Sequence, residues 1–131
     1  MGDLHIEALV LGNQAAVLQE LGESADSLAL ARRSLRCKQQ LDLTGSIATS
    51  LNNIAGNLFS LGKAEVAAQL HGAAQAVRQK AGITLGPAFH RQLEAEQDNV
   101  HRSLGAEVFN KAFARGGALT QEAAITLALA D

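Results

Sequence analysis

Four polar side chains lie at helical spacing in the second half of the chain: His90, Glu94, Gln97 and His101. Their i, i+4, i+7 and i+11 spacing places them on one stripe of a predicted helix. Imidazoles and carboxylates bind metals, so the stripe is a candidate start of a metal site. His90 and His101 lie roughly 16 Å apart at 1.5 Å per residue, so one ion cannot reach both without another helix. We therefore predict a solvated helix border and no metal, and we keep a small helical metal-binding protein using His90, Glu94 and His101 as a remote alternative.

Other motifs that carry chemistry are incomplete. Residues 56–64 resemble a phosphate loop, but five residues separate Gly56 from Gly62 where four are needed. Ala64 also stands where a serine or threonine would bind magnesium. The sequence has no HExxH, GxSxG or paired CxxC motif. Cys37 is the single cysteine, so an internal disulfide is excluded and a buried thiol in the reducing cytoplasm is expected. We predict a cytoplasmic protein that is not an enzyme and needs no cofactor.

Composition and charge argue against two classes of partner. The 131 residues carry 11 Lys and Arg against 13 Asp and Glu, and nucleic-acid binding needs a basic excess. Aromatic residues make up 3%, with no Tyr or Trp to stack on bases. The local cluster of Arg32, Arg33, Arg36 and Lys38 falls late in a predicted helix, where cations complement the helix dipole. No apolar run reaches the ~18–20 residues of a membrane span. We therefore predict no direct nucleic-acid binding and no membrane partner.

The sequence predicts an all-α chain that contains an internal repeat. Alanine and leucine dominate, and there is one proline. Residues 13–22 (NQAAVLQELG) match residues 53–62 (NIAGNLFSLG) forty positions later. Glycines end helices in both copies, and Ser24 and Thr120 are candidate N-caps. About seven helices follow: 4–21, 25–41, 46–61 after a break at Asp42-Leu43-Thr44-Gly45, 64–81, a fifth from Pro87 to Gly105, 106–115, and a last one ending near Ala130.

The repeat unit resembles the tetratricopeptide repeat. Short connections make neighbouring helices antiparallel, and small residues recur where two helices would approach: Ala15 and Ala55, Ser27 and Ala67, Ser34 and Ala74. We predict an all-α, tetratricopeptide-like solenoid of antiparallel helix hairpins, forming a single domain over 1–131. Residues 1–86 would form two hairpins, and residues 87–131 would form capping helices, because two repeats alone are too few for stability.

The second half of the chain resembles a more specific family. It reads AAQLHGAAQAVR from Ala67, then Leu104-Gly105-x-x-x-Phe109-x-x-Ala112, then Gly116, and closes on Leu119-Thr120-x-Glu122-Ala123. This pattern is similar to the end of the helical repeat region in MalT-like, LuxR-type bacterial transcription regulators of the STAND ATPase class. The resemblance implies a sensor fragment of a longer chain, which would also carry an ATPase module and often a helix-turn-helix. It transfers no catalytic residues.

In tetratricopeptide stacks the first helix of each hairpin lines a concave groove, which gives a candidate binding site. Aligning the two units places five candidate residues there: Leu9, Gln19, Thr49, Asn52 and Phe59. Asn52 would hydrogen-bond an extended peptide backbone, and Phe59 would anchor an apolar side chain. We predict a non-catalytic interaction and sensor module that binds a protein, a peptide or an effector of the parent regulator. The alternative is a free-standing adaptor or self-association domain, and in either case we expect an exposed apolar end to form a homodimer.

Overall fold

The computed structural model describes residues 4–41 and 43–130. This part of the chain contains seven α-helices and no strand, which confirms the predicted all-α class. None of these helices is both long and apolar enough to cross a bilayer. The helices are α1 (Leu4–Glu20), α2 (Ser24–Leu41), α3 (Thr44–Ser60), α4 (Ala64–Ala81), α5 (Pro87–Leu104), α6 (Ala106–Gly117) and α7 (Gln121–Leu129).

The two repeat units end their first helices with the same turn. Gly22 and Gly62 have φ angles of 79° and 87°, which favour glycine. In each turn the following N–H reaches back five residues, from Glu23 to the Leu18 carbonyl and from Lys63 to the Leu58 carbonyl, both at 2.8 Å. This is the Schellman geometry that satisfies the last helical carbonyls. The forty-residue match is therefore a match of backbone structure.

Three predicted boundaries were wrong because packing overrides local signals. Helix α3 begins at Thr44, so Gly45 lies inside the helix, where a Cβ would come 3.3 Å from the Ile83 side chain. Asp42, the first residue of the predicted break, lies outside the described residues. Ser24 is the first helical residue of α2, and the Glu23 carbonyl accepts from Ser27 N–H, so Glu23 occupies the cap position. Helix α6 continues through Gly116.

Thr120 caps α7 as predicted, because its hydroxyl accepts a 3.1 Å hydrogen bond from the Ala123 N–H. The apolar pattern of α6 would bury Val108 together with Phe109 and Ala112, but Val108 is exposed and only the other two are buried. The apolar stripe of α6 is therefore narrower than its sequence pattern indicates.

The helices pack in chain order as far as α4. Helix α1 pairs with α2, α2 packs on α3, and α3 pairs with α4. The next close neighbour of α4 is α6, whereas α5 lies more lightly against α3, α4 and α6. Helix α7 contacts α2, α3 and α4. Helix α4 thus has neighbours on several sides and forms the centre of the fold.

The predicted small residues lie in the helix contacts. All six are at most 4% exposed: Ala15, Ser27, Ser34, Ala55, Ala67 and Ala74. Two of them also form hydrogen bonds between helices, because Ser27 Oγ donates to the Ala15 carbonyl at 2.6 Å and Ser34 Oγ donates to the Ala8 carbonyl at 2.9 Å. The first hairpin is therefore held by side-chain hydrogen bonds to backbone as well as by apolar contact.

Helices α4 and α6 approach until their backbones touch at two glycines. A Cβ placed on Gly72 would overlap the Phe113 carbonyl oxygen, and a Cβ placed on Gly116 would overlap the Gln69 carbonyl oxygen. These obstacles are backbone atoms, so no side-chain rotation can relieve the overlap. The α4–α6 distance therefore depends on glycine at both positions.

We expect Gly116→Ala to lower the free energy of unfolding by about 2 kcal/mol or more, because a methyl group there forces the helices apart. The loss should exceed the gain of about 1 kcal/mol in helix propensity. Urea denaturation measures it. Gly117→Ala is the matched control, since the nearest heavy atom to its Cβ is the Gly72 carbonyl oxygen at an ordinary 3.7 Å. Equal effects of the two substitutions would contradict the close contact.

Candidate functional site

The five residues predicted to line the groove differ in how exposed they are in the structure. Asn52 is 2% exposed, and its amide nitrogen lies 2.9 Å from His71 Nδ1, so it is not presented to an open groove. Thr49 donates to the Gly45 carbonyl of its own helix, and Gln19 packs over Gly56 of α3. Phe59 is partly buried against the core. Leu9 alone among the five is largely exposed, at 63%.

Leu9 belongs to an open apolar surface on α1, which we call the α1 face: Ile6, Leu9, Val10, Val17 and Leu21. Each of these side chains is between 45% and 70% exposed. A shallow groove lined by Val17, Leu18 and Leu30 continues this surface towards α2. A group of exposed apolar side chains of this kind is a candidate interaction surface.

A second feature is a group of buried polar side chains on α3 and α4, near α5. It consists of Asn52 on α3 with His71 and Arg78 on α4, each at most 5% exposed. Within the described residues, three of their atoms have no hydrogen-bond partner: Asn52 Oδ1, His71 Nε2 and Arg78 Nη2. Buried polar atoms are nearly always paired, so these three atoms mark this region for attention, as do both amide atoms of the buried Asn57 on α3.

The surroundings of this group include two spaces against α5. A cavity of about 30 Å³ is lined by Asn52, Phe89 and Glu96, among others. Burial raises the pKa of the Glu96 carboxyl, and a hydrogen bond with Gln92 opposes that rise. A larger cleft of about 420 Å³ lies between α4, the connection to α5, and α5 itself, and Arg78 lines it.

Electrostatics in this region follow from burial. Burial, and then the positive charge of Arg78, lower the pKa of His71 to about 4, so the ring is neutral near pH 7. Burial also lowers the pKa of Arg78, although a guanidinium stays charged in proteins. The Arg78 guanidinium carbon lies 5.9 Å from the centre of the Phe89 ring of α5, within cation–π range.

The stripe of polar residues on α5 is divided between separate contacts. His90 Nε2 lies 3.2 Å from Glu94 Oε1, and both side chains are exposed. His101 instead packs against the Phe109 ring, with centroids 4.9 Å apart. In the described part of the chain, no three His, Cys, Asp or Glu residues are grouped as metal ligands.

Two cations of the α2 cluster also form hydrogen bonds to other helices, and Lys38 lies in the last turn of α2 as predicted. Arg32 Nε donates to the Ala128 carbonyl at 2.9 Å, and its Nη2 donates to the Ala130 carbonyl at 2.6 Å. Lys38 Nζ donates to Ser50 Oγ at 2.8 Å. These cations therefore join α2 to α7 and to α3. Cys37 is a buried free thiol.

Sequence reasoning missed His71 and Arg78 because they stand inside an alanine-rich run that predicts packing alone. A signal was present: the two residues are seven apart, which places two polar residues on one helix face. The sequence does not show that His71 packs against α3, because this burial depends on how α4 packs in the folded chain.

We expect the protein to lose stability between pH 6.5 and pH 4 partly through His71. The unfolded ring takes up a proton near pH 6.5 and the folded ring only near pH 4, so unfolding is favoured as the pH falls. The shift corresponds to roughly 3 kcal/mol of unfolding free energy at pH 4.

Urea denaturation across this range measures the effect. His71→Gln should remove this part of the pH dependence, whereas His5→Gln, at an exposed position of α1, should keep it. An unchanged pH dependence in His71→Gln would contradict the neutral buried ring.

Comparisons with known proteins gave no match. No protein-family model matches the chain, no curated protein matches it, and no solved structure matches it. Support for a function therefore comes from the side chains described above.

Proposed function

We propose that this chain is a non-catalytic protein-interaction module whose α1 face packs against another helical hairpin of the same kind. In the context implied by the MalT-like resemblance, it would be the sensor part of a bacterial signalling ATPase that regulates transcription. One observation carries the proposal: Val10, Gln14 and Val17 of α1 are exposed, whereas the three equivalent positions of α3 are buried.

The forty-residue repeat makes this comparison direct. Val10 and Val17 are 45% and 55% exposed, whereas their equivalents Ser50 and Asn57 are 2% and 0% exposed. Gln14 is likewise exposed, and its equivalent Ile54 is fully buried. The helix face that these three residues of α3 form is buried, whereas the equivalent face of α1 is exposed to solvent.

Helix α2 lies against this buried face of α3. Ser50 accepts a hydrogen bond from Lys38 of α2, so this side of α3 faces the preceding hairpin. By the same repeat relation, the α1 face is the place where a helix of a preceding hairpin would pack. Its side chains are more apolar than those of α3, which favours association by the hydrophobic effect.

The occupant most directly available to the isolated chain is the hairpin of a second copy. The five residues of the α1 face are apolar, so two such faces can associate by the hydrophobic effect. Self-association of the isolated chain therefore tests whether the face binds a helical hairpin.

We expect the native chain to dimerise and the double variant Val10→Ser, Val17→Asn to raise the dimer dissociation constant by about tenfold or more. The two substitutions copy the residues of α3, so they remove apolar surface with side chains that the repeat already accepts. Sedimentation equilibrium measures the association.

The matched control is Val108→Ser, because Val108 is an exposed valine of α6 at 42%. It should leave the dissociation constant unchanged. A native chain that stays monomeric at high concentration would overturn the proposal, as would a dimer that the double variant leaves intact.

A further inference from the structure

We propose that the cleft between α4 and α5 binds a small organic acid, whose carboxylate pairs with Arg78. This site lies in the second half of the fold, so the inference does not depend on the α1 face. Its ligand class follows from the charge, the lining and the size of the cleft.

Arg78 supplies the buried positive charge of this cleft. Its side chain is 5% exposed, its Nη2 has no partner, and no ion pair of Arg78 is present among the described residues. Its one recorded aromatic contact is the Phe89 ring. A buried charge without a counter-ion is strongly unfavourable, so binding an anion here would stabilise the fold. A carboxylate matches the planar guanidinium because it can accept two parallel hydrogen bonds.

The rest of the cleft favours an organic acid over a bare inorganic anion. Apolar side chains line it from the α4–α5 connection and from α5: Ile83, Leu85 and Leu93. Side-chain amides lie beside them at Gln75, Gln79 and Gln97. An apolar body could contact the first group, while the amides would hydrogen-bond polar substituents.

The charges at the cleft limit the ligand to a low negative charge. Arg78 is the buried cation there, and the other titratable residues that line it are the exposed pair His90 and Glu94. Glu94 would repel a second negative group, whereas one carboxylate is balanced by Arg78. The volume of about 420 Å³ is within the range of small-molecule sites.

Helix α5 makes the site responsive to its ligand. It packs lightly against α4 and buries only Leu93 and Val100. A ligand bound between Arg78 of α4 and Leu93 of α5 would add contacts that join the two helices. Binding should therefore reduce the opening of α5.

The test uses hexanoate as probe and hexanamide as its neutral match, with NMR titration of the full chain. We expect hexanoate to shift the Arg78 side-chain signal and the amides of Leu85 and Leu93, with a dissociation constant on the order of millimolar. Hexanamide should bind about tenfold more weakly or not at all. Equal binding of the two probes, or hexanoate shifts that fall elsewhere, would overturn the proposal.

Two further experiments test whether Arg78 binds the carboxylate and whether the ligand is an organic acid. Arg78→Gln should weaken hexanoate binding by about tenfold or more, whereas Arg91→Gln, an exposed arginine of α5 outside the cleft lining, should leave it unchanged. The hexanoate and hexanamide comparison stands on the native chain if Arg78→Gln does not fold. Inorganic phosphate that bound at Arg78 as tightly as hexanoate would overturn the organic-acid assignment.

Discussion

The close approach of α4 and α6 at Gly72 and Gly116 is the constraint on which the second half of the fold depends. Because backbone meets backbone there, α6 packs closely on α4, whereas α5 packs on α4 more lightly. Helix α5 is left on the outside with two buried side chains, Leu93 and Val100. The glycine contact thus determines which helix is tightly held and which helix lies over the polar residues of α3 and α4.

Those polar residues connect the packing to the proposed ligand site. Asn52 and His71 bond to each other and still leave one atom each unpaired, and Arg78 adds an unbalanced charge on the same helix as His71. A purely structural interior would gain stability by replacing such groups with apolar ones. Their position beneath the lightly packed α5 is what supports a binding role, and the α1 face supports a second, protein-directed role at the other end of the chain.

Much of the fold was predictable from local signals. The turns at Gly22 and Gly62, the cap at Thr120 and the small residues at Ser27 and Ser34 follow from short-range geometry and repeat matching. Gly116 was misread as a helix end because a glycine that permits close packing looks the same in a sequence. Asn52 was misplaced because the repeat alignment gives its helix face but not the later helices that cover that face. Nothing local indicates that Arg78 forms no ion pair within the described part of the chain.

Amide hydrogen exchange under native conditions tests the central claim most directly, because it separates the opening of α5 from that of α4 and α6. The structure predicts that amides of α4 and α6 around Gly72 and Gly116 exchange only through global unfolding. Amides of α5 should exchange at least about tenfold faster, through a local opening that leaves α4 and α6 protected. Exchange of α5 at the same slow rate as α4, or faster local exchange in α6 than in α5, would contradict a rigid glycine contact beside a loosely held helix.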